Sequence, residues 1–201
     1  MYAEERGLGH RIASISFLLL GLVAQGAVAA TIAIDVTSDA DQIAIEASAV
    51  LNADATTAWD VLTDYPRYID FIPGLQECRV VARKGTTVTV AQSGEVTLWL
   101  LRTPLDVTFE ITETAPTRLD SRVVAGDLRA FNSRYVLTPV GDEVRLEYSG
   151  TLQFGVPLFG PIERLAVKQN VARRFQALAD EIERRRRSGR AATGLGSLDR
   201  E

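Results

Sequence analysis

The spacing of apolar residues changes from a helical period to a strand period at Gly74. Before Gly74, four apolar residues recur at i, i+3, i+4 and i+7, which is one face of a helix: Ala55, Ala58, Trp59 and Leu62. Asp54 stands at the N-cap position of this helix. Pro66 predicts a break, since proline lacks an N–H and disfavours helix at the preceding residue. A second short helical turn follows from Pro66 and ends at Pro73-Gly74.

Beyond Gly74, apolar and polar residues alternate, and this period predicts consecutive antiparallel strands. The predicted first strand, Ile43 to Leu51, precedes the helix pair, and about six more strands follow it. The last strand has the clearest inward face: Val144, Leu146, Tyr148, Leu152 and Phe154. Four turn signals separate the strands: Gly85, Ala115-Pro116, Gly126-Asp127 and Gly141-Asp142. The run from Val96 to Leu101 is apolar on both faces, and Cys78 is predicted to point inward.

A long terminal helix is predicted from about Ile162 to Arg187. Its buried stripe consists of Val167, Val171, Phe175, Leu178 and Ile182. Its solvated side is predicted to carry Arg164, Lys168, Arg173 and Arg174. Residues 188–201 are polar and glycine-rich, which predicts a disordered tail.

The N-terminal residues 1–29 have the pattern of a secretory signal peptide. Arg6 and Arg11 lie before an apolar run, and Ala27-Val28-Ala29 supplies a cleavage signal. An uncleaved membrane anchor is the alternative, although Gln25 interrupts a run that would need ~20 apolar residues to span a bilayer. Either interpretation predicts an exported protein, periplasmic or held at the cell envelope. Residues 30–42 are interpreted as a polar lead into the domain.

The composition excludes several classes of chemistry. It is 46% hydrophobic, enough for one core, and the net charge of −4 gives no indication of nucleic-acid binding. His10 is the only histidine and lies within the predicted signal peptide, and Cys78 is the only cysteine. The mature domain therefore lacks the residues for histidine-dependent nucleophilic catalysis, for a disulfide and for a zinc site built from His and Cys. We expect no cofactor other than a bound quinone or lipid.

This order of elements predicts an α+β helix-grip domain over residues 43–187. A curved antiparallel sheet of about six to seven strands would wrap around the long C-terminal helix, with two short helices after the first strand. A sheet with one apolar face needs a cover, and the terminal helix is long enough to provide it. Since the sheet would curve around this helix, we expect a cavity between them. The oligomeric state is left open.

The residues around the kink resemble the START-like (SRPBCC) superfamily of birch-pollen-allergen type, in particular its polyketide cyclase/dehydrase and coenzyme Q-binding branch. The resemblance lies in Ala58 to Tyr65, in Tyr68 and in Phe71 to Gly74, within about Ile43 to Ile182. It implies a helix-grip fold. It does not select among the functions of that superfamily, which include lipid carriers, cyclases and protein-binding members.

The candidate ligand-binding residues are aromatic and apolar side chains expected at the cavity wall or its mouth: Tyr65, Tyr68, Phe71, Phe109, Phe131, Tyr135, Tyr148, Phe154, Leu158, Phe159, Val171 and Phe175. Trp59 is interpreted as core. Val156 to Phe159 is an apolar loop, interpreted as a portal or lid. Trp99, Leu101 and Leu158 are candidates for contact with a membrane surface. Asp60 and Asp64 share one helix face, but their polar neighbours favour a structural role over acid/base catalysis.

Three functions remain open. The favoured one is an exported carrier that binds a quinone, an isoprenoid lipid or an acyl chain, without catalytic residues or a metal. The second is a polyketide cyclase or dehydratase that uses tyrosine or acidic groups inside the cavity. The third is a protein-interaction module of the cell envelope. The sequence leaves enzymatic activity undecided and favours its absence.

Overall fold

A single antiparallel sheet and one long helix form most of the protein. The structure, a computed structural model, describes residues 31–39, 42–98, 101–154 and 161–195. The strands it contains are, in chain order, β1 Ile32–Asp39, β2 Gln42–Leu51, β3 Leu75–Lys84, β4 Thr87–Leu98, β5 Leu101–Thr114, β6 Arg118–Gly126, β7 Leu128–Val140 and β8 Glu143–Phe154. The helices are α1 Ala55–Thr63, a 3-10 helix Tyr65–Asp70 and α2 Pro161–Leu195.

The strands pair in the order β1-β2-β8-β7-β6-β5-β4-β3, and every pair is antiparallel. Among these pairs, β2 and β8 are the two strands that are far apart in the sequence. Helix α1 and the 3-10 helix connect β2 to β3, which lies at the opposite edge of the sheet from β1. The register shifts between β3 and β4, between β5 and β6, and between β7 and β8. Such bulges bend a strand and increase its twist, so they curve the sheet around the helix. The predicted helix-grip fold class is confirmed, with eight strands among the described residues.

The helix pair after β2 begins and breaks where the sequence predicts. Asp54 caps α1: its Oδ1 accepts from the backbone N–H of Thr57 at 2.8 Å, and its Oδ2 accepts from the Thr57 hydroxyl at 2.8 Å. The hydrogen bond from the Thr57 backbone N–H lowers the pKa of Asp54 below its usual value. Ala58 and Leu62 are fully buried on the apolar face of α1, and Trp59 packs half-buried against the same core, as predicted. Pro66 lies in the first turn of the 3-10 helix.

Helix α2 lies against the sheet through the predicted stripe and contacts β1, β2, β4 and α1. Phe175 and Ile182 are buried there. Arg185 connects α2 to the end of α1, because its Nη1 lies 2.8 Å from Asp64. Its Nε lies 2.7 Å from Glu181, one turn earlier on α2. Hydrogen bonds from the arginines of this turn, the largest from Arg184, lower the pKa of Glu181. Asp64 therefore has a structural role, as expected.

The structure corrects three boundaries. Part of the predicted polar lead forms β1, where Ile32, Ile34 and Val36 alternate toward the core. The run from Val96 to Leu101 is not one strand, because Leu98 at the end of β4 pairs with Leu101 at the start of β5. Residues 188–195, predicted as disordered, continue α2, and Arg190, Ala191 and Ala192 are the helix-favouring residues within them.

The predicted signal peptide, residues 1–29, lies outside the described residues. Within the parts that the structure describes, no helix is both long enough and apolar enough to cross a membrane.

Candidate functional site

A cavity of about 250 Å³ lies between the inner face of the sheet and α2. Engineered apolar cavities of roughly 150 Å³ stay dry and bind benzene, so this space accommodates a small apolar molecule or part of a longer one. Two pairs of aromatic rings stand on its strand wall. The ring centroids of Phe109 and Phe131 are 5.2 Å apart, and those of Tyr135 and Tyr148 are 4.8 Å apart. Their side chains are only half-buried because one side faces the cavity instead of a packed neighbour.

The structure brings most of the predicted ligand-binding residues to this cavity. Eight of the twelve line the cavity: Tyr65, Tyr68, Phe109, Phe131, Tyr135, Tyr148, Val171 and Phe175. Phe71 packs against the ring of Tyr68, with centroids 5.5 Å apart, and does not line the cavity among the residues described. Leu158, Phe159, Trp99 and the side chains of Phe154 and Leu101 lie outside the described part of the chain. Their roles in a portal or at a membrane stay predictions.

Three of the four cavity tyrosines have hydrogen-bonded hydroxyl groups. Tyr65 donates to Glu113 Oε1 at 2.9 Å, and Tyr68 donates to the carbonyl oxygen of Leu62 at 2.7 Å. Burial raises the pKa of both hydroxyls well above the usual tyrosine value. Burial also raises the pKa of Tyr148 to about 12, although a hydrogen bond with Ser133 opposes the rise. These phenols therefore stay protonated at neutral pH, where they act as hydrogen-bond donors and not as bases.

Tyr135 is the exception among the four. Its hydroxyl has no hydrogen-bond partner among the described residues, and burial raises its pKa well above the usual value. A buried hydroxyl without a partner is costly, so a ligand that accepts a hydrogen bond here would relieve that cost.

The polar side chains on the α2 side of the cavity differ in whether they have hydrogen-bond partners. Asn170 donates from Nδ2 to the carbonyl oxygen of Thr97 at 2.6 Å, which fastens α2 to the end of β4. Its Oδ1 accepts from Arg173 Nη2 at 2.8 Å. Arg174 also lines the cavity and is half-buried, which corrects its predicted place on the solvated side. It lies three residues after Val171 and four before Leu178, so it flanks the buried stripe.

The lining of the cavity includes exposed residues where the start of β3 meets β4, and we refer to this region as the mouth. The backbone N–H of Glu95 donates to the carbonyl oxygen of Gly74 at 2.7 Å. Gly94 permits this close approach, since a Cβ there would stand 2.2 Å from the Gly74 oxygen. Among the described lining residues, Glu95 is the one carboxylate; it is exposed and lies 3.6 Å from Arg102. Within the described lining, the cavity interior thus offers hydroxyl donors and a cation, but no carboxylate base.

Cys78 points inward as predicted and is buried. Burial raises the pKa of its thiol to about 11, while Gln92 Nε2 lies 3.5 Å from the sulfur. The thiol is therefore protonated at neutral pH and behaves as a small apolar side chain.

A curved antiparallel sheet that grips a C-terminal helix around an apolar cavity defines the START-like class of proteins. The chain belongs to the polyketide cyclase/dehydrase and lipid transport family, whose sequence profile matches residues 42–186. This match confirms the predicted superfamily and its polyketide cyclase/dehydrase branch, and the coenzyme Q-binding part of the resemblance stays a prediction. No protein of curated function matches the sequence.

Solved structures show the same fold at low sequence identity. A STAR-related lipid transfer protein fragment from Xanthomonas axonopodis is 14% identical, with a TM-score of 0.61 over 79% of this chain and 96% of that one. The Zhui aromatase/cyclase from Streptomyces sp. R1128 is 14% identical, with a TM-score of 0.56 over 73% and 94%. A START superfamily protein from Mycobacterium smegmatis is 18% identical, with a TM-score of 0.54 over 72% and 97%.

Proposed function

We propose that this protein binds a small hydrophobic molecule in the cavity between the sheet and α2 and carries it through an aqueous compartment. The observation that supports this function best is the combination of unfilled apolar space with aromatic walls. Protein cores ordinarily pack without voids of this size, so an unfilled cavity lowers stability unless a ligand occupies it. A quinone, an isoprenoid lipid or an acyl chain has the apolar character to fill it.

The relatives support a carrier in a general way. The family description includes lipid transport, and one structural neighbour is named a STAR-related lipid transfer protein. This neighbour is 14% identical to the chain, so the similarity between the two structures supports the fold alone.

Export is part of the proposal and rests on the sequence. The apolar run and the cleavage signal at Ala27-Val28-Ala29 favour secretion with cleavage after Ala29. A carrier outside the cytoplasm would work where apolar molecules must cross water between membranes.

A cyclase or dehydratase is the second candidate, favoured by the family description and by the similarity to an aromatase/cyclase. Tyr135 and Arg174 could stabilise the oxygen of an enolate. Such chemistry also needs a base, and the carboxylate of the described lining lies at the mouth, facing Arg102. The interior geometry therefore favours binding over turnover.

The test is a titration with the neutral fluorescent probe N-phenyl-1-naphthylamine, followed by competition with decylubiquinone, farnesol and dodecanoic acid. We expect saturable binding of one probe per chain and displacement by at least one competitor. Absence of probe binding by the folded protein would overturn the carrier proposal.

A further inference from the structure

The charged residues that line the cavity differ in whether they have ion-pair or hydrogen-bond partners. Glu95 faces Arg102, and Arg173 donates to Asn170. Arg174 makes no hydrogen bond or ion pair with any residue that the structure describes. Its guanidinium carries five donors and stays charged at any pH the protein meets.

Apart from Glu95, which faces Arg102, the described residues that line the cavity with Arg174 include no carboxylate. The residues one helical turn away on α2 are Asn170, Val171, Ala177 and Leu178. From the sheet and the 3-10 helix, its positive charge acts on Tyr68, Cys78, Tyr135 and Tyr148. Burial raises the pKa of each of these groups, and Arg174 opposes that rise. All four are neutral at neutral pH.

The hydroxyl of Tyr135 completes the donor set. It lies at the cavity wall beside Tyr148, on a half-buried side chain, and lacks a hydrogen-bond partner within the described chain. A half-buried cation and a half-buried phenol, both without acceptors, are complementary to an anionic oxygen group. Arginine in particular matches a carboxylate, because its planar fork donates two parallel hydrogen bonds.

We propose that the ligand is an apolar chain carrying one carboxylate, with the carboxylate bound by Arg174 and Tyr135 and the chain against the aromatic wall. This inference rests on the proposed hydrophobic-ligand function and selects a fatty-acid-like ligand over a neutral quinone or isoprenoid alcohol. The chain would lie along Phe109 and Phe131, which line the same cavity.

The experiment compares dodecanoic acid with its methyl ester by isothermal titration at about pH 8, where the carboxylic acid is ionised. The wild-type protein should bind the acid at least about tenfold more tightly than the ester. Arg174→Met should remove that preference while still binding the ester, which shows that its cavity is intact. Arg174→Lys should keep part of the preference, and Arg164→Met, an exposed arginine of the same helix, should keep all of it.

Equal binding of acid and ester by the wild-type protein would overturn the carboxylate proposal and leave the carrier function standing. A preference that survives in Arg174→Met would also overturn it. If neither molecule binds, the carrier function fails and this inference fails with it.

Discussion

Filling the cavity from the helix side distinguishes a ligand pocket from ordinary core. Val171 lines the cavity and is half-buried, whereas Val61 on α1 is fully buried in packed core. The same change to tryptophan at both positions therefore compares unfilled space with filled space, in a helix each time. A tryptophan side chain buries about 150–250 Å², so the indole at residue 171 would occupy much of the wall that a ligand needs.

We expect Val61→Trp to reduce mainly the stability of the protein and Val171→Trp to reduce mainly its binding of the probe. Overpacking a filled core costs about 1–3 kcal/mol, which in a domain of this size lowers the Tm by about 2–12 °C. Val61→Trp should show that loss. Val171→Trp should cost less than about 1 kcal/mol, because the indole enters a void of about 250 Å³. It should weaken binding of a neutral hydrophobic probe at least about tenfold, or about 1.4 kcal/mol.

The assay pairs thermal denaturation followed by circular dichroism with titration of the neutral fluorescent probe. Val124→Trp, at an exposed position of β6, is the matched control and should change neither quantity. If Val171→Trp destabilises the fold as much as Val61→Trp does, the space is ordinary core and the reasoning is wrong. Unchanged probe binding in a stable Val171→Trp variant would place the binding site elsewhere.

Three further predictions concern the frame around the cavity and the N-terminus. Asp54→Ala should lower the free energy of unfolding by about 1 kcal/mol by removing the cap on Thr57. Because folding lowers the pKa of Asp54, this contribution should be present above the unfolded-state pKa of about 3.9 and fade as pH falls through the folded pKa, so wild type and variant should converge in acid unfolding. Tyr65→Phe should cost about 1–2 kcal/mol in chemical denaturation, since Glu113 loses a donor; an unchanged midpoint would show that water replaces it. Mass analysis of the protein from its native host should find a chain that begins after Ala29, and an intact Met1 end would refute cleavage.

The architecture could be predicted because its signals are local. The apolar spacing of α1, the cap at Asp54 and the break at Pro66 are each encoded within a few residues, and the structure has them where the sequence predicts. The alternation along β8 likewise fixes which side chains face the cavity, including Tyr148.

The corrected features depend on contacts distant in sequence. β1 is a weak pattern by itself and becomes a strand because β2 offers it a pairing edge. The reversal between Leu98 and Leu101 has no glycine or proline to indicate it. The sequence predicts Arg174 on the solvated side because arginine usually lies there, and only the position of the sheet shows that its side chain lines a cavity.

The most direct test of the central claim is native mass spectrometry of the folded protein incubated in turn with decylubiquinone, farnesol and dodecanoic acid. The account predicts one adduct per chain with at least one of them, retained by Val124→Trp and lost from Val171→Trp. A wild-type protein that forms no adduct with any of the three, or a Val171→Trp variant that keeps the adduct, would contradict the claim that the cavity holds the ligand.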